Sequence, residues 1–233
     1  MSVAPTVAMM TAPAGISSEV DAEFRAFVAN PEFSCLAGKG AVRSGGYQLG
    51  VYGTLGSRRS ARALAHDLAA FAADSPDGGA GLRAFVAVFP VRAPDTEAQF
   101  ERKLWQELQH VHECDTGRAT WDAKASDDPE DPSFAFSFAG RAMFVVGMHP
   151  ASSRITRRFR WPALVFNPHD QFDRLRDEGR FERLRAVVRE REVALQGSLN
   201  PNLADFGELS EARQYSGRAT EPEWRCPFHR ADP

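Results

Sequence analysis

The chain has 233 residues, of which 43% are hydrophobic and 25% charged, the usage of an ordinary globular domain. A formal net charge of -3 and the absence of any apolar run near the roughly 20 residues of a membrane span predict a protein that binds neither nucleic acid nor membranes. Three widely spaced cysteines form no CxxC motif, and the N-terminal segment lacks the basic region of a signal peptide, so we expect reduced thiols and a cytoplasmic location.

The first half of the chain predicts helices interleaved with short strands. Residues 1–16 are rich in Pro and Ala and are expected to be a disordered tail. The glycine-rich segment 33–46 holds Cys35 and predicts no regular element. The predicted elements are, in order, a helix from Ser18 to Ala29, a weak strand at 47–52, a helix capped by Ser57 or Ser60 and reaching Ala73, an apolar central strand at 82–89, and a helix beginning at Asp95 or Thr96.

The second half predicts a local hairpin followed by helices. Apolar segments on either side of Ala139-Gly140 indicate a β-hairpin, and Ala163–Phe166 adds a further strand. Residues 171–195 predict one or two helices broken near Gly179, and the chain beyond Gln196 reads as irregular. Helices interleaved with strands that include a hairpin predict an α/β (α+β) fold, in which residues 17–233 form one domain with a mixed central sheet flanked by helices.

The segment from Met143 to Phe172 carries the densest functional signal. Apolar runs end at His149 and at His169, and several arginines lie between the two histidines. Imidazoles at strand ends with guanidinium groups beside them suit a metal centre that carries anionic groups, such as haem with its propionates. Each histidine also has a structural interpretation, a backbone hydrogen bond for His149 and helix capping for His169. The arginines are Arg154, Arg157, Arg158 and Arg160. Alternatively, they form a charged surface that is exposed to solvent and binds no cofactor.

Other candidate ligands lie elsewhere in the chain. Cys226, in the sequence WRCPFHR, and Cys35, beside glycines, are each either a thiolate ligand of haem or a buried structural thiol. Convergence of Cys35, Cys226 and His229 on zinc is a further hypothesis. Glu208 and Glu211 lie in irregular chain, where carboxylates suit a cationic guanidine or amine. Walker A, GxGxxG, GxSxG and HExxH patterns are absent from the sequence.

Four blocks of the sequence resemble the YqcI/YcgG family. They occur in order at residues 30–41, 148–172, 195–218 and 224–228, so the resemblance runs from about Asn30 to Phe228, which is most of the chain. One departure is Ser34, which precedes Cys35 where the family more often has proline. Members of this family include haem-dependent N-oxygenases that act on arginine or related guanidines. The resemblance therefore implies an enzyme that contains haem b and uses dioxygen or peroxide to hydroxylate a nitrogen of a guanidine, amine or amino acid.

The resemblance also suggests roles for particular residues. His149 is the first choice for the iron ligand, with His169, Cys226 and Cys35 as alternatives. Ser153, Arg154 and Arg158, together with His169, are expected to contact the cofactor, and Glu208 or Glu211 to orient the substrate. No flavin or nicotinamide motif is visible, so a separate reductase or ferredoxin is expected to supply electrons. A homodimer is the default assembly. The alternatives are a non-catalytic haem carrier or sensor, and a cofactor-free or zinc-containing protein.

Overall fold

A mixed β-sheet lies at the centre of the fold. The computed structural model of the chain describes residues 14–74 and 81–230, and within them the sheet has five strands. The strands are β1 Tyr47–Val51, β2 Ala84–Val88, β3 Phe136–Phe138, β4 Arg141–Met148 and β5 Ala163–Pro168. Their order is β1-β2-β5-β4-β3, in which β1 and β2 are parallel and every other neighbouring pair is antiparallel.

Helices cover both faces of this sheet. In the described residues they are α1 Ala14–Ala29, α2 Leu36–Ser44, α3 Arg58–Ala73, α4 Glu97–Asp115, α5 Asp170–Asp177, α6 Phe181–Gln196 and the single turn α7 Ala212–Tyr215, with a 3₁₀ turn at Ile155–Arg157. The predicted α/β (α+β) class with a mixed central sheet is confirmed. Because α1 begins at Ala14, it includes the last three residues of the segment predicted to be a disordered tail; residues 1–13 lie outside the described residues. No helix among the described residues is long and apolar enough to cross a membrane.

Local sequence explains two of the element boundaries directly. Thr96 caps α4, because its hydroxyl accepts a hydrogen bond from the Gln99 amide at 3.2 Å. The predicted hairpin is confirmed: β3 and β4 are joined by Ala139 and Gly140, with φ of 51° and 75°. Positive φ at both residues of a two-residue loop matches the right-handed twist of the strands.

Helix α2 was not predicted, because its glycines read as a loop. The structure shows that these glycines serve close packing. A Cβ atom on Gly38 would lie 3.1 Å from the Phe33 ring, and one on Gly40 would lie 3.2 Å from the Leu82 side chain. Helix propensity is lower at glycine, but here the packed neighbours compensate for it. The helix ends at Gly45, which has φ of 68°.

The two faces of the sheet differ in how well they are filled. On one face, α3 and α4 pack against Met143 and Val145 of β4 in a dense aromatic and aliphatic core. On the other face, Val146 and Met148 of β4 point towards α1 and α2 and form a smaller cluster. This second face also carries the cavity described below.

The densely packed core is closed by a segment distant in sequence. Phe228 is fully buried, and its ring centroid lies between 5.2 and 6.5 Å from five other aromatic rings. Those rings come from α4, from the loop that follows it and from the start of the hairpin: Trp105, His112, Trp121, Phe134 and Phe136. Aromatic pairs at these separations add to the free energy of burial. The short C-terminal segment is therefore an integral part of the core.

Candidate functional site

An apolar cavity of about 260 Å³ lies over the less densely packed face of the sheet. Val86, Val146 and Met148 contribute to its floor, and α1, α2, α6 and the loop after α6 surround it. Apolar cavities with a few polar groups are the usual setting for small-molecule sites, and this volume is slightly below their common range of roughly 300–1,000 Å³. The cavity is therefore the first place to look for a binding site.

Cys35 brings a thiol to this cavity. It is the N-cap residue of α2, and its Sγ atom accepts a hydrogen bond from the Gly38 amide at 3.4 Å. Burial raises the pKa of the Cys35 thiol, and the hydrogen bond from Gly38 partly opposes that rise. The thiol is thus neutral in the protein alone, at a helix N-terminus whose dipole favours negative charge if a metal displaces the proton.

Arg157 contributes a half-buried positive charge at the same cavity. One guanidinium nitrogen donates to the backbone carbonyls of Gly147 at 3.3 Å and Tyr215 at 3.0 Å. Burial lowers the pKa of Arg157 to about 10, against the opposing charges of Glu192 and Glu97. Within residues 14–74 and 81–230 no carboxylate lies within ion-pair distance of the guanidinium. A Cβ atom on Gly217 would lie 2.6 Å from Arg157 Cδ, so a glycine there lets the side chain pass. A half-buried guanidinium without an ion-pair partner is suited to bind an anion.

Glu192 of α6 joins the two sides of the cavity. Its carboxylate accepts hydrogen bonds from the hydroxyls of Ser34 and Thr156 and pairs with the Arg154 guanidinium at 2.9 Å. Burial would raise the pKa of Glu192, but these three partners outweigh it and hold the pKa below its ordinary value. Arg154 also donates to the Ser198 carbonyl at 2.6 Å. We call Glu192 with Ser34, Arg154 and Thr156 the Glu192 cluster.

His149 lies on the opposite face of the sheet from the cavity. Its imidazole is fully buried and stacks on Phe100 of α4, with ring centroids 4.1 Å apart. Both ring nitrogens are buried without a hydrogen-bond partner. Burial lowers the pKa of His149 to about 4, so the ring is neutral at physiological pH. Because both ring nitrogens, through which an imidazole binds iron, are buried in the core, neither is accessible to a cofactor in this arrangement.

We expect His149→Phe to remove a pH dependence of stability. In the folded protein the pKa of His149 is about 4, whereas 6.5 is its ordinary value. As the pH falls from 6.5 to 4, the unfolded chain takes up a proton that the folded protein excludes, so the wild type loses stability in that window. The phenylalanine variant has no such loss. Urea unfolding of both proteins across the window measures the difference, and His66→Gln, on an exposed histidine of α3, is the control. A pH-independent difference would contradict a buried neutral His149.

Ser153 and Arg158 are exposed and stabilise the turn rather than line the cavity. The amide and hydroxyl of Ser153 both donate to Glu97 at 2.8 Å. Arg158 donates to the backbone carbonyls of Ser152 at 2.7 Å and Ser153 at 3.2 Å. Among the predicted cofactor contacts Ser153, Arg154 and Arg158, Arg154 alone lines the cavity.

His169 and Glu211 form a hydrogen-bonded chain of their own. The Nε2 atom of His169 lies 3.0 Å from a Glu211 carboxylate oxygen, and the Tyr215 hydroxyl donates to the same carboxylate. Burial raises the pKa of Glu211, and the hydrogen bond from His169 opposes this. His169 borders a separate, open cleft of about 530 Å³. Glu208 is exposed and accepts a hydrogen bond from the Asp205 amide at 3.1 Å, so the structure brings neither glutamate into the apolar cavity.

Cys226 belongs to the dense core on the α3–α4 face, and burial raises its pKa strongly. Its amide donates to Glu130 at 3.1 Å. The structure does not bring Cys226 to the cavity that Cys35 lines. In the described part of the chain, no group of three or more His, Cys, Asp or Glu side chains is arranged to hold a metal ion.

Sequence reasoning missed Glu192 as a site residue and placed Arg157 within a cluster without singling it out. Glu192 lies in the run REREVALQ, where nothing distinguishes it from its exposed neighbours. Its importance follows from the position of α6 relative to Ser34 and Arg154, which are far away in sequence.

Comparison with known families agrees with the sequence blocks noted above. The profile of the YqcI/YcgG family matches residues 24–229. The chain belongs to the YqcI/YcgG family. The matched residues include every side chain of the Glu192 cluster and both Cys35 and Arg157. No curated protein and no solved structure matches this family member.

Proposed function

We propose that this YqcI/YcgG protein is a haem-dependent N-oxygenase whose cofactor binds in the apolar cavity. The observation that carries the proposal is that Cys35 and Arg157 face one apolar cavity from separate elements. A thiol is an established type of axial ligand for haem iron, and a guanidinium is a strong partner for a propionate. The apolar floor suits the face of a porphyrin.

Cys35 is the proposed axial ligand in place of His149. Of the four candidate iron ligands, His149, His169, Cys226 and Cys35, only Cys35 is among the described residues that line this cavity. Iron binding requires the thiolate, and the Gly38 amide and the charge of Arg157 both favour that form. When bound, haem would supply activation of dioxygen or peroxide for oxygen transfer to nitrogen. A porphyrin is larger than a cavity of about 260 Å³, so surrounding side chains or α6 must move outwards to admit it.

Amide side chains provide the proposed contacts to a nitrogenous substrate. Asn167 and Gln214 line the cavity, and each donates its amide hydrogens to backbone carbonyls. Within the described residues, the side-chain oxygens of Asn167 and Gln214 accept no hydrogen bond. Acceptors at an apolar surface suit a guanidine or amine, which has N–H groups to donate. We place the reaction in the cytoplasm, with a separate reductase or ferredoxin as the electron donor.

We expect the purified protein to bind added haemin and to show a Soret band that shifts on reduction and again with carbon monoxide. The shift with carbon monoxide requires an open coordination position, which an oxygenase also needs. Product formation from arginine or a simple guanidine, with a ferredoxin and reductase present, then tests the reaction. Haem binding without turnover of any guanidine, amine or amino acid would favour a carrier or sensor. Folded protein that binds no haemin would contradict the proposal.

A further inference from the structure

Helix α6 is the only long helix of the described chain that buries no residue. Every one of its sixteen residues is described, and Val193 remains 46% exposed. By contrast, α3 buries seven residues in the core. Val188 and Glu192 of α6 face the apolar cavity, so this helix covers a space rather than packing against the sheet. Since α6 has no fully buried side chain, moving it away would expose less of its own apolar surface than moving α3 would.

Polar contacts hold α6 in place. The Glu192 cluster attaches it to the residue before Cys35 and to the 3₁₀ turn. Near its end, Gln196 accepts from the Ile155 amide at 2.9 Å and donates to the Ser153 carbonyl at 3.0 Å. Elsewhere on the helix, Arg185 and Arg189 pair with Asp205. Water can replace such polar partners, which it cannot do for a packed apolar core.

Glycines flank the helix on both sides. Gly179, between α5 and α6, has φ of 66°, and Gly197, directly after α6, has φ of 77°. A Cβ atom built on either residue would meet no atom within 4 Å, so neither position is restrained by packing. Backbone rotation at a few such residues is how hinged elements move.

We propose that α6 is a hinged lid over the cavity, latched by Glu192. That the lid admits haem rests on the proposed function, whereas the hinge motion of α6 does not. Opening would separate Glu192 from both Ser34 and Arg154. The Arg154 guanidinium would keep its contacts with Ser198 but lose its counter-charge, which leaves it able to bind an anionic ligand, and the turn that carries Cys35 would lose its contact with α6. The Glu192 carboxylate thus controls both entry to the cavity and the availability of Arg154 and Cys35 for binding.

Hydrogen exchange on the full-length protein without haem tests the lid. We expect the amides of α6 to exchange at least tenfold faster than those of α4, since opening of α6 leaves the core intact. Glu192→Gln removes the charge that Arg154 binds and is expected to accelerate exchange in α6 at least tenfold more, with exchange in α4 unchanged. Glu190→Gln makes the same chemical change at an exposed position of the same helix and should leave both rates as they are.

A second variant guards against unfolding. If Glu192→Gln also accelerates exchange in α4, Gln196→Ala weakens the other anchor of α6 and should accelerate α6 alone. Equal exchange rates in α6 and α4 of the wild type, or no response of α6 to either variant, would overturn the lid. Because these experiments use no haemin, a mobile α6 in a protein that fails to bind haemin would refute the proposed cofactor and leave the lid standing. Haem binding in a protein whose α6 does not open would support the proposed cofactor and refute the lid.

Discussion

Replacing Cys35 with serine is expected to lower the affinity for haemin at least tenfold and to abolish any thiolate character in the spectrum of the reduced carbon monoxide complex. Serine has nearly the shape of cysteine and is a preferred N-cap residue, so α2 should remain folded. Its hydroxyl, however, is a poor ligand for haem iron. Haemin titration followed by absorbance measures the affinity, and urea unfolding verifies that the variant is as stable as the wild type.

The matched control is Cys114→Ser, which changes a partly exposed thiol near the end of α4. It should bind haemin as the wild type does. His149→Phe should also retain haemin binding, because His149 lies on the other face of the sheet. Wild-type binding in Cys35→Ser together with loss of haem in a folded His149→Phe variant would make His149 the ligand and contradict the assignment made here.

A second large effect is expected from Glu107→Gln on the pH dependence of stability. Glu107 of α4 is fully buried; one carboxyl oxygen accepts from the Gly56 amide at 2.6 Å and the other has no partner. Burial raises the pKa of Glu107 to about 8, and its ordinary value is 4.5. Between these values the unfolded chain releases a proton that the folded protein retains. The wild type therefore loses stability as the pH rises from 4.5 to 8, by about 1.4 kcal/mol per pH unit.

Glutamine cannot ionise, and it can still accept the hydrogen bond from the Gly56 amide. The free energy of unfolding of the variant should therefore not fall as the pH rises from 4.5 to 8. The stability of the two proteins should be similar near pH 4.5, and the variant should be several kcal/mol more stable near pH 8. Urea unfolding at a series of pH values provides the comparison. Glu113→Gln, in an exposed ion pair on the same helix, is the control and should retain the wild-type slope. Parallel curves for wild type and Glu107→Gln would show that Glu107 is ionised in the fold.

Much of the fold could be predicted because its elements carry local signals. The hairpin at Ala139-Gly140 and the cap at Thr96 are determined by residues adjacent in sequence. Helix α2 was missed, because Gly38 and Gly40 lower helix propensity and their reason for being there lies in contacts with Phe33 and Leu82. The helical conformation of this segment depends on packing between elements, which its composition does not reveal.

The candidate site was harder to predict for a related reason. The sequence shows that His149 ends an apolar strand, but strand alternation alone does not say which face a cofactor would occupy. The structure puts His149 against Phe100 and puts Cys35 and Arg157 at the cavity. Three of the groups that meet there, Cys35, Arg157 and Glu192, come from separate segments, and only the tertiary fold brings them together.

The burial of Phe228 has a consequence for how the protein is made. Its five aromatic neighbours belong to the segment from Trp105 to Phe136, which leaves the ribosome long before Phe228 does. Until then, one face of the nascent sheet and the inner side of α4 lack the ring that fills the space between them. Such incomplete cores expose apolar surface and are prone to aggregate. This core should therefore be completed only after residue 228 has emerged from the ribosome, and until then the nascent chain should depend on chaperones.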